Sequence, residues 1–296
     1  MTTISIIGAG WLGTPLATTL LSKHYRVYAS NTSHEKAQAL NQFGIHGFCC
    51  DLTKPHNLAH DLVKQQTDVV IGCFPPGFRR GLTQEYQVMW KQITEAATRA
   101  KVKKIIMISS SAVYPTVSQQ QESSDSGTSN LIMDESKASW ALASQRDEGN
   151  NYLSFSDNAK VMLNAEQHVI DSGTEFVIIR LSGLIGPNRH PARFVSKLKQ
   201  VSSSAPANML HLDDAVGSIT FATQNLKNQV INVTTPDTLS KDKFYQLALH
   251  CASLPSSQLP QVIDIPDKKI DTSKLLSLGY QYKHPTLSQA LESIHD

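Results

Sequence analysis

A glycine-rich turn near the amino terminus is the first feature whose residue types and spacing can do chemistry. Gly8, Gly10 and Gly13 stand in the order Gly-Ala-Gly-Trp-Leu-Gly, directly after an apolar run and before a helical pattern. In such a turn the first glycine allows the tight bend, the second lets a phosphate approach the backbone, and the third lets helix and strand pack closely. The free N–H groups of the helix then attract the anion. The turn predicts a site for the pyrophosphate of NAD or NADP.

The end of the second predicted strand bears on the choice between these two cofactors. An Asp or Glu at this place binds the ribose 2′-hydroxyl of NAD, and the sequence has neither. Ser30, Asn31 and Thr32 stand there instead, with His34 and Lys36 close by. Their hydroxyl, amide and cationic groups favour the 2′-phosphate of NADP, although no arginine is present to clamp it. His34 and Lys36 equally suit the solvated first turn of a helix.

Further cofactor contacts are predicted where later strands end, because ligands of open parallel sheets bind outside the carboxyl ends of the strands. Asp51 follows the third strand and is placed to accept a hydrogen bond from an adenine amino group, or to serve as a turn or capping residue. The predicted contacts beyond the glycines and the second strand are Trp11, Leu12, Asp51, Leu52, Cys73, Phe74 and Pro75.

The elements that must position these residues alternate between short β-branched runs and helical stretches. Strands are predicted at 4–7, 26–29, 47–50, 68–73, 104–109, 175–181 and 229–233, and helices at 12–22, 34–42, 57–65, 83–100 and 157–172. This alternation predicts an α/β fold, a Rossmann doubly wound parallel sheet with a smaller C-terminal substrate lobe. We expect residues 1–182 with 227–236 to form the NAD(P)-binding domain, and 183–226 with 237–296 to form the substrate-binding lobe. The polar stretch 119–127 is predicted to be a mobile loop.

Composition excludes several other classes of protein. The chain has 296 residues and a formal net charge of +2 without basic runs, so we expect no nucleic-acid partner. No apolar stretch approaches the roughly 20 residues that span a membrane. The four cysteines form no paired framework, which is typical of reduced thiols in a cytoplasmic protein. His56 and His60 could share a helix face, but no third ligand lies nearby, so no metal is expected.

Five segments in the same order carry a resemblance to a known family. They are residues 51–52, 109–114, 180–187, 211–216 and 271–274, which read DL, SSSAVY, RLSGLIGP, HLDDAV and DTSK. The chain resembles the extended short-chain dehydrogenases/reductases, the NAD-dependent epimerase/dehydratase family, almost from end to end. Its shorter glycine turn with Trp11 is typical of an atypical branch, since the family usually carries GxxGxxG.

The resemblance also shows where the family's chemistry is missing. Family members use a Ser or Thr, a Tyr and a Lys: the lysine lowers the tyrosine pKa, and the tyrosine exchanges a proton with the substrate. Ser110 matches the family's Ser or Thr. Alignment on Glu166 puts Asn158 at the tyrosine position and Met162 at the lysine position. Asn158 can bind a substrate through hydrogen bonds, but it cannot relay a proton near neutral pH.

Substitutes for the missing pair lie nearby in the sequence. Lys160 is two residues from the expected lysine position, and Tyr114 and Tyr152 are candidates for the proton donor. A shifted helix register or a substitute tyrosine would therefore restore catalysis. The alternative is that Lys160 is a surface residue and Tyr152 a loop residue.

Two basic clusters follow strands whose carboxyl ends should face the cofactor. Arg79 and Arg80 come after the fourth strand, and Arg189, His190 and Arg193 come after the sixth. Arginine binds carboxylates and phosphates through paired charge-assisted hydrogen bonds, so these residues favour a small anionic substrate. The alternative is that they are ordinary solvated loop charges.

Two functions are consistent with the sequence. The first is an oxidoreductase or epimerase that uses NADP or NAD on a small anionic or nucleotide-sugar-like substrate. The second is a non-catalytic protein that senses NAD(P) and signals through a partner, as the missing Tyr-x-x-x-Lys favours. The resemblance also implies a homodimer through the helices at 83–100 and 157–172.

Overall fold

The fold is known from a computed structural model that describes residues 1–78, 81, 83–117, 130–145 and 153–294. Its strands are β1 (Thr3–Ile7), β2 (Arg26–Asn31), β3 (His46–Cys49), β4 (Val69–Gly72), β5 (Lys104–Ser110), β6 (Thr116–Val117), β7 (Leu131–Met133), β8 (Leu153–Ser154), β9 (Glu175–Leu181), β10 (Gly183–Ile185), β11 (Gln200–Ser202), β12 (Met209–His211), β13 (Gln229–Val233), β14 (Gln261–Ile263) and β15 (Lys268–Ile270). Its helices are α1 (Gly13–Ser22), α2 (His34–Ala39), α3 (Leu58–Gln65), α4 (Glu85–Arg99), α5 (Trp140–Ala143), α6 (Asp157–Ile170), α7 (Ala192–Val195), α8 (Leu212–Asn225), α9 (Lys241–Cys251), α10 (Ser273–Ser277) and α11 (Leu287–Glu292).

A seven-stranded sheet forms the centre of the molecule, in the order β3-β2-β1-β4-β5-β9-β13. Every neighbouring pair of its strands is parallel. All five residues of β1 are buried, as expected for a strand that helices cover on both faces. The predicted doubly wound parallel α/β fold is confirmed. The strand order reverses between β1 and β4, which is where open α/β sheets bind their ligands.

Helices cover both faces of the sheet and give it two apolar cores. On one face α1 and α8 pack with residues of β1 such as Ile4 and Ile6. On the other face α3, α4 and α6 pack together around Trp90, which is fully buried. A third apolar cluster, around Phe244 and Leu291, belongs to the C-terminal part of the chain.

The expected division of the chain into two parts differs from the contacts in two places. Helix α8 was expected in the smaller lobe, but it packs against α1 and shares the sheet's apolar core. Strand β7 was expected in the Rossmann domain, but it pairs with β15 near the end of the chain. Both differences arise because helical or strand character in a sequence does not say which surface an element will cover. The remaining short pairs are β6–β8, β10–β12 and β11–β14.

None of the helices in the described part of the chain has the length and apolar character needed to cross a bilayer. The four cysteines are all free thiols. The loop predicted at 119–127 lies outside the described residues.

Candidate cofactor and substrate site

The glycine turn has the geometry that its spacing predicts. Gly8 has φ of +105°, and a Cβ there would lie 2.7 Å from the Cys73 carbonyl oxygen. A Cβ on Gly13 would lie 2.2 Å from the Gly8 carbonyl oxygen, so only glycine allows α1 to begin this close to β1. A Cβ on Gly10 would meet no described atom within 4 Å. Gly10 therefore faces open space, as it must if a phosphate is to approach the backbone.

Residues at the end of β2 hold this turn in place. The Gly8 N–H donates to Ser30 Oγ (3.1 Å), and the Ala9 N–H donates to the Ser30 carbonyl (2.8 Å). Asn31 Nδ2 donates to the Ala9 carbonyl (3.3 Å). Ser30 and Asn31 thus line the cavity, but their side chains bind the turn, whereas the Thr32 side chain is exposed.

A first cavity of about 460 Å³ lies above the turn, at the carboxyl ends of β1 to β4. Most of the predicted cofactor contacts line it: Gly8, Gly10, Ser30, Asn31, Thr32, Asp51, Leu52, Cys73, Phe74 and Pro75. Sequence reasoning missed Ile7, Ala9, Cys50, Thr53 and Met89, which also line it. All but Met89 adjoin predicted contacts in the chain, so the strand-end rule could have found them. Met89 comes from inside α4, and no local signal marks it.

Asp51 is a turn residue at the wall of the first cavity. Its carboxylate accepts hydrogen bonds from the Thr53 amide (3.0 Å) and hydroxyl (2.6 Å), and Lys54 lies 3.5 Å away. The bond from the Thr53 hydroxyl lowers the pKa of Asp51 below its usual value, so the residue is charged near neutral pH. Asp51 is therefore a turn residue that presents an anion to the wall of the first cavity.

A second cavity of about 240 Å³ adjoins the first and shares Gly10, Cys73, Phe74 and Pro75 with it. Its other lining residues come from the start of α1, the end of β5, helices α4 and α6, and the segment after β9: Trp11, Leu12, Pro76, Tyr86, Ile108, Ser109, Ser110, Met162, Leu181, Ser182, Leu184 and Arg189. A dinucleotide with its pyrophosphate at Gly10 would extend from one cavity into the other. Trp11 and Leu12, predicted as cofactor contacts, lie in this second part.

Trp11 joins the glycine turn to the segment after β10. Its indole Nε1 donates to the Pro187 carbonyl (2.8 Å), and the Arg189 guanidinium carbon lies 4.3 Å from its ring centroid. This is a cation–π contact, and the arginine remains exposed. These two contacts hold the glycine turn against the segment that follows β10.

A buried ion pair fixes the register of α6 against the sheet. Glu166 Oε2 lies 2.7 Å from Arg180 Nη2 on β9, and the Ser109 hydroxyl donates to Glu166 Oε1 (2.6 Å). Met162 is one helical turn earlier and lines the second cavity. The position at which the family carries its lysine therefore reaches the cavity, and it holds an uncharged thioether.

Ser110 is the one predicted catalytic residue that lines the second cavity. It ends β5, and its hydroxyl accepts the Ala112 N–H (3.2 Å) at the start of a single 3₁₀ turn. The same oxygen retains its proton for donation to a ligand.

Comparison with known proteins agrees with this geometry. A family model described as NAD(P)H-binding matches residues 8–208. The chain belongs to the NAD(P)H-binding family. Protein YeeZ of Escherichia coli (strain K12) is 26% identical over 297 residues, with 96% of this chain and 97% of that protein covered.

Solved structures of NAD-dependent enzymes share the fold. The Bordetella bronchiseptica enzyme WbmH in complex with NAD+ has a TM-score of 0.74 and 16% identity, covering 99% of this chain and 97% of the other. The UDP-glucuronic acid 4-epimerase of Bacillus cereus in complex with NAD has a TM-score of 0.69 and 18% identity, with the same coverage. The expected extended short-chain dehydrogenase fold of this NAD(P)H-binding protein is thus confirmed.

The geometry contradicts both substitutes for the family's catalytic pair. Tyr114 is 2% exposed, and its hydroxyl donates to Asn232 Oδ1 (2.6 Å) and accepts from Arg180 Nη1 (3.1 Å). Both bonds are made inside the protein core, so the hydroxyl is not directed at a substrate. Burial raises the pKa of Tyr114 to about 12, with Arg180 opposing the shift. Lys160 is two residues from Met162, roughly 200° around the helix, and is not among the described residues that line either cavity. Tyr152 lies outside the described residues.

Of the predicted anion-binding residues that the structure describes, Arg189 is the one at the cavity. Arg189 lines it, but His190 is 4% exposed and its Nδ1 accepts the Ala192 N–H (3.3 Å), so the ring turns into the protein. Arg193 donates to the Asn188 carbonyl (3.4 Å) and, with His190, is absent from the described lining. Arg79 and Arg80 lie outside the described residues. Asn158 is exposed one turn before Met162 and is likewise absent from the described walls.

Several residues that line the second cavity of the NAD(P)H-binding protein were missed, among them Tyr86 and Ser182. Tyr86 belongs to the first turn of α4, and Ser182 follows β9 directly. The position of Ser182 after a strand end could have signalled it. Tyr86 looks like an ordinary apolar-face residue of a helix, so its place at the cavity depends on tertiary packing.

A group of three side chains, His211, Asp213 and His284, brings its nitrogen and oxygen atoms within 4.8 Å of one another. The Asp213 N–H donates to His211 Nδ1 (3.1 Å), which makes His211 the cap of α8. Lys283 Nζ lies 2.5 Å from Asp213 Oδ2. His211 therefore caps α8, while its Nε2 atom and that of His284 are buried and have no hydrogen-bond partner among the described residues.

Proposed function

We propose that the chain binds NADP(H) across the two cavities and reduces a carbonyl group of a small anionic substrate. The observation that carries the proposal is the second cavity. It joins the first cavity at Gly10 and is lined by both Ser110 and Arg189. Met162, at the position aligned with the family's lysine, also lines it.

The fit of a dinucleotide supports the binding part of the proposal. Gly10 leaves open space where a phosphate would lie, and Leu12, the cap of α1, has no side-chain bond to the first amides of the helix. The Thr14 N–H donates to the Gly10 carbonyl (2.9 Å) and Pro15 has no N–H, so of the first three residues of α1 the Gly13 amide is the one left for an anion. Asp51 and Leu52 in the first cavity suit the adenosine end.

NADP is favoured over NAD by the end of β2. The exposed side chains just after its end are Thr32, His34 and Lys36, with Glu35 between the last two, and β2 itself ends without the carboxylate that would repel a 2′-phosphate. The two related structures named above are in complex with NAD+ or NAD, so the choice of cofactor in this chain needs its own measurement.

Reduction is favoured over epimerisation because the described residues that line the second cavity offer hydroxyl donors and include no carboxylate, histidine or lysine that could act as a base. In reduction the carbonyl carbon takes the hydride of NADPH and the oxygen takes a proton that is supplied by solvent water, which leaves an alcohol and NADP+. Ser110 can donate a hydrogen bond to the oxygen as charge develops on it. Epimerisation needs a group that also removes a proton from a hydroxyl, and Met162 places no cation where it would make a tyrosine acidic. Arg189 would hold the anionic group of the substrate.

The test is titration with NADPH and NADH, followed by NADPH oxidation with a panel of 2-oxo acids and keto-sugar nucleotides. The proposal expects tighter binding of NADPH and loss of the reduced nicotinamide absorbance with at least one anionic carbonyl compound. Binding of neither cofactor would overturn it. Tight binding without turnover across the panel would favour the second candidate, a non-catalytic NAD(P)-sensing protein, for which Met162 is the supporting observation.

A further inference from the structure

Tyr86 places a hydroxyl group in an apolar wall. It is fully buried, and its ring packs against Phe74 (centroids 5.7 Å apart), Phe78 (6.3 Å) and Trp90 (6.5 Å). Among the described residues its hydroxyl oxygen has no hydrogen-bond partner, and the Trp90 indole Nε1, which approaches it closely enough to lower its pKa, has none either. The residue lines the second cavity.

Ser182 presents a second hydroxyl of the same kind. It is 5% exposed, and its Oγ has no hydrogen-bond partner among the described residues. Its backbone is fixed, because its N–H donates to the Val233 carbonyl (3.0 Å) on the neighbouring strand. Ser182 lines the second cavity together with Tyr86, although the two come from different layers of the fold.

Several other buried hydroxyls have partners, although Thr235 Oγ1, which lines neither cavity, has none among the described residues. Tyr114 bonds to Asn232, and Ser109, also at the second cavity, bonds to Glu166. A buried hydroxyl without a partner costs about 1–3 kcal/mol. Two such groups in the wall of one cavity are therefore best explained by a ligand that accepts or donates the missing bonds.

We propose that the Tyr86 and Ser182 hydroxyls bind the nicotinamide-ribose half of the dinucleotide. The inference rests on the proposed cofactor binding. It identifies two residues that would bind the cofactor in place of the tyrosine and lysine of the family, whose positions hold Asn158 and Met162. The second cavity is the space that this half reaches, because it joins the first at Gly10. The ribose diol and the carboxamide both accept and donate hydrogen bonds, as two neutral hydroxyls require. Burial raises the pKa of Tyr86, so the phenol stays protonated and acts as a donor.

Two ligands separate this inference from cofactor binding in general. NADP+ contains the nicotinamide riboside, and 2′-phospho-ADP lacks it. Calorimetric titration of wild type, Tyr86→Phe and Ser182→Ala with each ligand should show that either variant weakens NADP+ binding about 5- to 10-fold, the loss of one hydrogen bond. Binding of 2′-phospho-ADP should be unchanged. Should NADH prove the preferred cofactor, NAD+ and ADP replace the two ligands.

Thermal unfolding without ligand gives a second measurement. Because Tyr86→Phe removes a buried group without a partner, its Tm should equal or exceed that of wild type. Tyr245→Phe in the C-terminal cluster and Ser218→Ala on α8 are matched controls that should leave binding of both ligands unchanged.

Three results would overturn the inference and leave the proposed function standing. They are equal affinity of wild type and both variants for NADP+, an equal loss of affinity for 2′-phospho-ADP, and a lower Tm of ligand-free Tyr86→Phe, which would make its hydroxyl structural. If wild type binds neither dinucleotide, both the inference and the proposed function are wrong.

Discussion

Trp11 and Arg189 stack on each other in the wall of the second cavity, with the guanidinium carbon 4.3 Å from the indole ring centroid. They are far apart in the chain, yet the contact links the turn that would hold the pyrophosphate to the segment that would hold the substrate. The arginine is thus oriented by an aromatic face and keeps its N–H groups for an anion.

Replacing Arg189 with alanine should weaken binding of the anionic substrate and leave binding of the cofactor almost unchanged. The cavity loses its only described arginine, so we expect the KM for an anionic carbonyl substrate to rise at least ~10-fold, since a charge-assisted bond contributes about 1.5–3 kcal/mol. The NADPH dissociation constant should change less than about threefold. Arg193→Ala is the matched control, because that side chain is not in the described lining. Loss of cofactor affinity with an unchanged KM would contradict this assignment.

Alanine at Gly10 and alanine at Gly13 should differ in their effect on stability. A Cβ on Gly10 meets no described atom within 4 Å, so Gly10→Ala should keep the Tm of wild type and lose NADPH affinity at least ~10-fold, because the methyl group occupies the phosphate's path. A Cβ on Gly13 would lie 2.2 Å from a backbone oxygen, so Gly13→Ala should destabilise the protein by roughly 1–3 kcal/mol. Circular dichroism melts and fluorescence titration measure both. A stable Gly10→Ala protein with full affinity would show that no phosphate lies there.

Glu166→Gln should be among the more destabilising single substitutions in the core. It leaves the buried Arg180 guanidinium without its counter-charge, at a cost of about 3–5 kcal/mol in the free energy of unfolding. Glu175→Gln breaks the partly exposed pair with Lys104 (2.8 Å) and should cost at most about 1 kcal/mol. Urea denaturation compares the two. Similar values would mean that the Glu166 pair contributes no more than a surface pair.

Stability should fall between neutral and mildly acidic pH, in part through His211. Burial, followed by the neighbouring His284, lowers the pKa of His211 in the folded protein below its usual 6.5. The unfolded chain therefore binds the proton first, and stability is lost as the pH falls below about 6.5. Protonation would also remove the Nδ1 acceptor that caps α8 and put a cation at the positive end of the helix. Asp213, Lys283, His284 and Asp214 face or adjoin the same ring.

His211→Asn isolates this contribution, because asparagine caps a helix and does not titrate. The loss of unfolding free energy between pH 8 and pH 5.5 should be smaller in the variant, by up to about 1.4 kcal/mol per pH unit through the titration. Urea unfolding at the two pH values measures it. Equal losses in both proteins would assign the pH dependence to other groups.

The parts of the structure that depend on local sequence were predictable. The three glycines act through their own backbone, and β9 and β13 have the predicted bounds because each is a short, strongly β-branched run. Most of the first cavity followed from the rule that ligands lie beyond strand ends. The lining of the second cavity was less predictable from the sequence, because Tyr86 reaches it from a helix through packing of α4 on α6.

The failed predictions share one cause. Tyr114 was chosen for its nearness in sequence to Ser110, but the single 3₁₀ turn between them directs its hydroxyl to Arg180 and Asn232. Lys160 was chosen for its nearness to Met162, but two positions along a helix are close to opposite sides. Distance along the chain does not reveal which side of an element a group occupies.

Strand β13 has a practical consequence for anyone who expresses fragments of this protein. The segment matched by the family model ends at residue 208, before β13, so a fragment cut there would leave β9 as a bare sheet edge. It would also lack Asn232. The side chain of Asn232 accepts a hydrogen bond from the Tyr114 hydroxyl and donates to the Met133 and Asp271 carbonyls. An unprotected, apolar edge of this kind pairs readily with other chains. Such a fragment should therefore accumulate as insoluble material, even though it contains both cavities.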